Sequence, residues 1–425
     1  MMKGVSNKGR AEAHLNAGSP SRHLGRTFLL VLLALLLTMG SAIAIGYHSL
    51  QSNINQTNVD ELVGGDTTAP PIDQNAGRAL NILVLGSDTR EGQSIGGYVE
   101  GMRADTTMLF HISADRSRVN VVSIPRDLLI DIPSCTVRTG DNLDETFETE
   151  PAYDAMFNAA FSYGGQTNDV PSAAACSMKT VESITGIKLD GYVVLNFSSF
   201  QDIVNAIGGV PMYFEESVDD PDAGLKVSAG CRLLNGEQAL GLARARKTLG
   251  DGSDISRIGR QQELVTAMIK EVLNMNLLTN MPSLYKVLDA ATANLDTSEG
   301  LGDIPTLAGL ASSLRNINVD NIQFVTTPFE YAGARVTLTS EADTLWKAIA
   351  EDKPFTSSED EYGNNSIELV QPSAASSSTA TKPTEPAAPT TTAPADSETT
   401  PAAEPAANPT TEPSAPVCTK DNAQG

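Results

Sequence analysis

Residues 81–127 read NILVLGSDTREGQSIGGYVEGMRADTTMLFHISADRSRVNVVSIPRD, and the fold turns on this stretch. It contains three apolar runs of strand length, Ile82–Leu85, Thr106–Ile112 and Val119–Ile124. They are rich in β-branched residues and bounded by turn chemistry, which is the strand signal. The short polar turn SADRSR joins the second run to the third, so those two form a hairpin. The start of one hairpin strand and the end of the other then share a sheet edge. With the first strand alongside, parallel to the third, its end lies there too. Asp88 follows the first strand, Arg103 and Asp105 stand at the start of the second, and Arg126 and Asp127 follow the third. Carboxylates gathered at one edge suit a hard divalent cation, and guanidinium forks suit phosphate oxygens.

Upstream, residues 1–26 are polar and basic, with Lys3, Lys8, Arg10, Arg22 and Arg26. The run Phe28–Tyr47, FLLVLLALLLTMGSAIAIGY, holds 20 residues without a charge. That length crosses a hydrocarbon core of ~30 Å as a helix. With the basic flank in front, the positive-inside rule places the N-terminus in the cytoplasm and the remainder outside, so residues 27–47 are expected to be a signal anchor. Ala42-Ile43-Ala44 keeps a cleaved signal peptide open as the rival reading. Residues 48–77 are polar, with TTAPP near the centre, and predict a flexible extracellular linker. The globular part is expected over 78–354. Residues 355–425 are dominated by Pro, Thr, Ala, Ser and Glu and predict a disordered tail, because such a segment buries too little apolar surface to offset its ordering entropy.

The formal charge of -23 and pI near 4.5 argue against a duplex-DNA binder, so no nucleic-acid partner is expected. Four cysteines, Cys135, Cys176, Cys231 and Cys418, lie beyond the apolar run, where oxidation is permitted, and no CxxC pair suggests zinc. Cys135 with Cys176 is the preferred pair. Cys231 is left either free or joined to Cys418.

Downstream, Ala173–Thr185 has helical apolar spacing with Gly186 as C-cap, Tyr192–Phe197 reads as a strand, and Phe200–Ile207 as a short helix. Asn158, in FNAAFSYGG, is either a site residue or a structural turn asparagine, and the turn reading is preferred. Strands alternating with helices predict an α/β sandwich. Residues 235–275 form the second informative stretch, NGEQALGLARARKTLGDGSDISRIGRQQELVTAMIKEVLNM. A helix is expected over Glu237–Arg246, and a second from an Asp254 N-cap to about Met275. Arg257 and Gln261, four apart, share a face near the start of the second helix, where the helix dipole favours an anion.

Taken in order, G-S-D-x-R, R-x-D-T, S-I-P-R-D, A-R-A-R and R-x-x-R-Q resemble the LytR–CpsA–Psr family of cell-wall glycopolymer ligases, over roughly Arg78–Met275 and more loosely to Ala350. The resemblance implies an α-β-α sandwich with a central mixed sheet. It also implies a magnesium or manganese ion held by Asp88 and Asp105 against a diphosphate. Arg126, Arg244, Arg246, Arg257 and Gln261 then bind that diphosphate, and Arg103 joins Asp88, Asp105 and Arg126 as a candidate catalytic residue. Arg90 and Asp127 are weaker candidates; Asp127 either orients Arg126 or holds its loop. Some actinobacterial relatives carry a cysteine after Gly209, where this chain has Val210-Pro211-Met212-Tyr213.

The implied activity is phosphotransfer. A glycopolymer moves from a polyprenyl-diphosphate carrier to peptidoglycan, catalysed by a single-pass protein of the cell membrane. Fixed cations and a metal stabilise charge that builds on phosphate oxygens. No GxxxxGK[ST] loop is present, which fits a reaction driven by the donor's own diphosphate. The general base is open between Asp88 and Asp105. Two rival functions stay open: a polyprenyl-diphosphate pyrophosphatase that uses the same residues, and a non-enzymatic membrane-anchored envelope regulator or binding protein on which the site has decayed.

Overall fold

The computed structural model describes residues 20–64, 77–87, 102–140, 142–250, 252–275, 280–293, 295–314, 317–360, 363–370, 418–420 and 422–423. The expectations for Asp88, Arg90, the segment ahead of Pro20 and the tail over 371–417 lie outside these residues.

Seven strands form the central sheet: β1 (Ile54–Thr57), β2 (Leu80–Ser87), β3 (Ala104–Ile112), β4 (Val119–Ser123), β5 (Gly191–Leu195), β6 (Leu295–Ser298) and β7 (Ile322–Thr326). Their spatial order is β1-β6-β5-β2-β3-β4-β7. The sheet is mixed: β2 and β4 flank β3 antiparallel to it, while β5 runs parallel to β2 and β7 parallel to β4. Side chains alternate across it with the strand period of two. Leu83, Leu85, Leu109 and Val122 enter one core, and Leu80, Met108, Ile112, Val119 and Val121 enter another on the opposite face. Both faces are covered, as the sandwich expectation requires.

The first core is closed by α2 (Val170–Thr185), a helix of small residues that pack tightly on the sheet. Asp169 caps it by accepting from the Ser172 N–H, and Gly186 ends it at φ 69°. The disulfide Cys135–Cys176 pins α2 to the neighbouring loop, as preferred from the sequence. A Leu109→Ala change in this core costs about 2–5 kcal/mol, since Leu109 has no exposed surface. A separate apolar cluster lies among α3 (Phe197–Ala206), α4 (Gly236–Arg244) and α5 (Asp254–Asn274). The close approach of α3 to α4 needs Gly236, where a Cβ would fall 2.4 Å from the Gln201 carbonyl oxygen. Phe197, expected in a strand, instead opens α3 because Asn196 caps the helix by accepting from the Ser199 N–H.

The ends of the globular part differ from expectation. The apolar helix α1 runs from Pro20 to Ser52 and leads into β1, which pairs in parallel with β6. The first part of the expected linker is therefore the end of α1, an edge strand and a short helix, Asp60–Val63. The strand's backbone, bonded to β6, orders a segment too short and polar to announce itself. At the other end, α6 (Met281–Thr292), α7 (Ile304–Leu314) and α8 (Ser340–Ala350) are followed by a hairpin, Phe355–Glu359 with Asn365–Leu369, that carries the fold beyond 354. Phe355 and Ile367 are buried in the main core, which explains the extension. Cys418 is bonded to Cys231, and Lys420 reaches Glu271 on α5 at 3.0 Å, so the last described residues are fixed to the fold.

Candidate functional site

Because β3 lies between β2 and β4, the ends of those two strands meet the start of β3 at one sheet edge. Ser87 stands opposite Ala104, and the Ile124 N–H donates to the Thr107 carbonyl at 2.9 Å. This register delivers Arg126 to Asp105, whose Oδ1 accepts from Nη1 at 3.1 Å. Asn158 is buried, and its N–H donates to the Arg126 carbonyl at 3.1 Å, so the turn asparagine holds the arginine's backbone. Asp127 does both things considered for it. Its Oδ1 lies 3.4 Å from Arg126 Nε and 3.3 Å from Arg335 Nη1, and its carbonyl accepts from the Val336 N–H.

The first turn of α5 completes the edge. The N-cap is Ser253, not Asp254: the Ser253 hydroxyl accepts from the Ser256 N–H at 3.1 Å. Asp254 is thereby released for ion pairing. Its Oδ1 pairs with Arg257 and lies 3.2 Å from Arg126 Nε. Arg257 also donates to the Asp105 carbonyl at 3.0 Å. One carboxylate thus clamps two guanidinium groups, both of which reach Asp105. The signal was present in the sequence: Asp254 and Arg257 are three apart on one helix face. The capping preference of aspartate at a helix start outweighed it.

Electrostatics follow from burial and pairing. Burial alone raises the Asp105 carboxyl, but the charge and hydrogen bond of Arg126, with Arg257 and Arg246 behind, bring it below the ordinary value. Asp105 is held ionised. For Asp254, whose side chain is 9% exposed, burial outweighs the arginines and pushes the carboxyl up. Burial likewise lowers Arg257, against the pull of Asp254.

Helix α4 starts with a capping box between Asn235 and Gln238 and ends at Arg244, so Arg246 lies beyond the helix rather than in its last turn. Extended backbone at Ala245, ψ 134°, breaks it there. Two α5 side chains hold this segment. Arg260 donates to the Ala245 carbonyl at 2.6 Å, and Gln261 to the Ala243 carbonyl at 3.1 Å. The Arg244 guanidinium sits 4.9 Å from the centre of the Phe197 ring, a cation–π contact. Arg260 and Arg335 were not among the residues expected here.

Asp105, Arg244, Arg246, Arg257 and Gln261 line one cleft of about 620 Å³. Further along α5 its wall is apolar: Phe200, Val265, Met268, Ile269 and Val272. Arg126 joins the cluster through Asp105. Arg103 is exposed at the start of β3 and is absent from the cleft lining. Asp105 fits a hard cation by chemistry: its carboxyl is held toward the charged form, and the residue lines the cleft. Among the described residues no group of three or more acidic, histidine or cysteine side chains forms a metal site. Magnesium commonly takes one or two carboxylates and fills its shell with water and phosphate.

The model of the LytR_cpsA_psr family matches residues 46–352. The chain is 30% identical over 284 residues to a probable cell wall biosynthesis protein, LcpB, of Corynebacterium glutamicum, covering 64% of this chain and 61% of that one. It is 28% identical to the polyisoprenyl-teichoic acid–peptidoglycan teichoic acid transferase TagT of Bacillus subtilis, covering 60% of this chain and 70% of that one. A crystal structure of B. subtilis TagT matches at 22% identity with a TM-score of 0.47, over 70% of this chain and 99% of that one. The match spans about three fifths of LcpB and half of LcpA from C. glutamicum.

Proposed function

Because this chain belongs to the LytR–CpsA–Psr family, we propose that it is a membrane-anchored phosphotransferase that moves a glycopolymer from a polyprenyl-diphosphate carrier to peptidoglycan. TagT is named for such a transfer of teichoic acid. The observation that carries the proposal is the shape of the cleft's chemistry: arginines at one end and a mainly apolar wall further along α5. A polyprenyl diphosphate has that same division.

An acceptor sugar hydroxyl attacks the glycan-side phosphorus. The bond from that phosphorus to the bridging oxygen breaks, the phosphodiester forms, and prenyl monophosphate leaves carrying the proton given up by the hydroxyl. Arg257, Arg246 and Arg244 bind the phosphate oxygens, and Arg126 fixes Asp105. Guanidiniums placed in advance stabilise the charge that builds in the transition state. Asp105, with Asp88, would hold a magnesium or manganese ion. When bound, that ion neutralises charge on the diphosphate oxygens. The apolar run of α1 supplies the anchor, with the domain outside the cell by the positive-inside rule.

The test supplies purified full-length protein in detergent with a prenyl-diphosphate glycan and an unlinked peptidoglycan acceptor. Covalent glycan–peptidoglycan product is expected. Prenyl monophosphate released without that product would replace the reading by a pyrophosphatase, and donor bound but never consumed would replace it by a non-enzymatic binding protein.

A further inference from the structure

The uncharged run of α1 ends at Tyr47, and its side chains are exposed almost throughout. About 20 residues cross the hydrocarbon layer, so the domain-side boundary falls at Tyr47. The helix does not break there. It continues to Ser52, with Leu50 buried. Gln51 accepts from the Ile304 N–H at 3.2 Å, Asn53 donates to Asp289 on α6 at 3.3 Å, and Ile54 is already paired with Leu295. Five residues of helix rise about 8 Å, close to the thickness of the headgroup layer. The anchor is therefore a strut with no slack between bilayer and sheet.

Two helices meet this strut at the boundary. Tyr285 of α6 lies against Gly46, where a Cβ would be 3.6 Å from the ring, and it is exposed on its other side next to exposed Lys286. Tyrosine favours the headgroup level, and lysine reaches toward lipid phosphates. Helix α7, IPTLAGLASSL, carries no charge and exposes Pro305, Ala308 and Ala311, three apart on one face. Toward the C-terminal end of α5, Val272 of the cleft wall and Val287 of α6 pack against one shared apolar cluster, and Leu273, also in the cleft lining, is 37% exposed. Arg257 lies 16 residues back along α5, about 24 Å away.

We propose that the C-terminal end of α5, together with α6 and α7, forms a surface seated on the lipid bilayer, held there by α1, and that the cleft opens through it. The seating stands on α1, α6 and α7 alone; what enters the cleft rests on the polyprenyl-diphosphate reading. The carrier then keeps part of its chain in the membrane while its diphosphate is drawn along α5 to the arginines.

The test places full-length Tyr285→Trp and Tyr331→Trp proteins in vesicles of phosphatidylcholine and phosphatidylglycerol doped with lipid spin-labelled near the headgroup. The natural Trp346 is buried and gives both the same background. Tyr331 sits in the hairpin that carries Arg335, beside the charged end. Added quenching is expected at 285 and not at 331; equal or absent quenching at 285 overturns the seating. A Gly-Ser-Gly-Ser insertion between His48 and Ser49 then slackens the strut. Turnover of a bilayer-embedded long-chain donor is expected to fall about tenfold through lost effective concentration, with a short-chain soluble donor unaffected. Unchanged turnover of the embedded donor overturns the opening of the cleft onto lipid. If the unmodified protein consumes neither donor, the transferase reading fails while the quenching result still decides the seating.

Discussion

The two ends of the central sheet both carry charged clusters, and the contrast between them separates a site from a scaffold. At the hairpin end, Arg78, Arg116 and Arg118 face Asp115, Asp190 and Asp352. Asp190 pairs with Arg78, and Asp352 serves Arg118 and the buried His111 through Oδ1 and the Ala114 N–H through Oδ2. Arg116 donates to the carbonyls of Arg78 and Ser113 at 2.8 and 2.7 Å. Charges there balance and tie loops together. At the other end, Arg126, Arg257 and Arg335 pair with Asp105, Asp127 and Asp254, while Arg244 and Arg246 line the cleft with no ion pair among the described residues to offset them. The surplus of positive charge opens onto a cleft. Balanced charge fastens a fold; unbalanced charge beside a cavity awaits an anion.

If that distinction holds, the two ends respond oppositely to substitution. Arg126→Ala should lower the transfer rate by about 10–100-fold, because Asp105 loses the guanidinium that orients it beside the cleft, with the far-ultraviolet circular dichroism unchanged. Wild-type rates would mean the surplus is incidental. Asp254→Asn should act on both properties. It leaves Arg257 buried without its counter-charge, costing about 3 kcal/mol in urea denaturation, and it loosens both guanidiniums, so that kcat/KM falls. At the hairpin end, Asp352→Ala should cost about 2 kcal/mol by the same measurement and leave the transfer rate intact. A loss of rate there would erase the contrast.

The smallest expected effect is a pH dependence at the hairpin turn. Hydrogen bonds from Ser117 and Ser113 draw the Asp115 carboxyl down to about 2. A depressed acid stabilises the fold above its unfolded value near 3.8 and loses that contribution as pH falls toward 2. Asp115→Asn should remove this part of the acid-side slope, read from thermal midpoints across that window.

What the sequence disclosed follows from the range of the forces involved. The three strands of residues 81–127 were legible because β-branched runs between turns are a local signal. Their register brought Asp105 to Arg126 because a tight hairpin leaves little freedom. Strand β1 was not legible: INQT is short and polar, and only the β6 backbone makes it a strand. Asp254 was misread because the local rule for helix starts competed with an ion pair across the sheet edge. Arg335 arrives from a hairpin more than 200 residues downstream of Arg126 and has no local signature. The apolar cleft depends on how three helices pack, which periodicity alone does not specify.

The bond between Cys231 and Cys418 turns a tail into a ring. The 47 residues from Gln371 to Val417 connect Val370, at the end of the last hairpin, to Cys418, which is bonded to Cys231. A protease cutting once anywhere in that stretch would release nothing: the severed piece would stay attached through a single sulfur bridge. On a gel the nicked molecule would keep its full mass until a thiol was added, and only then would a short C-terminal fragment come away.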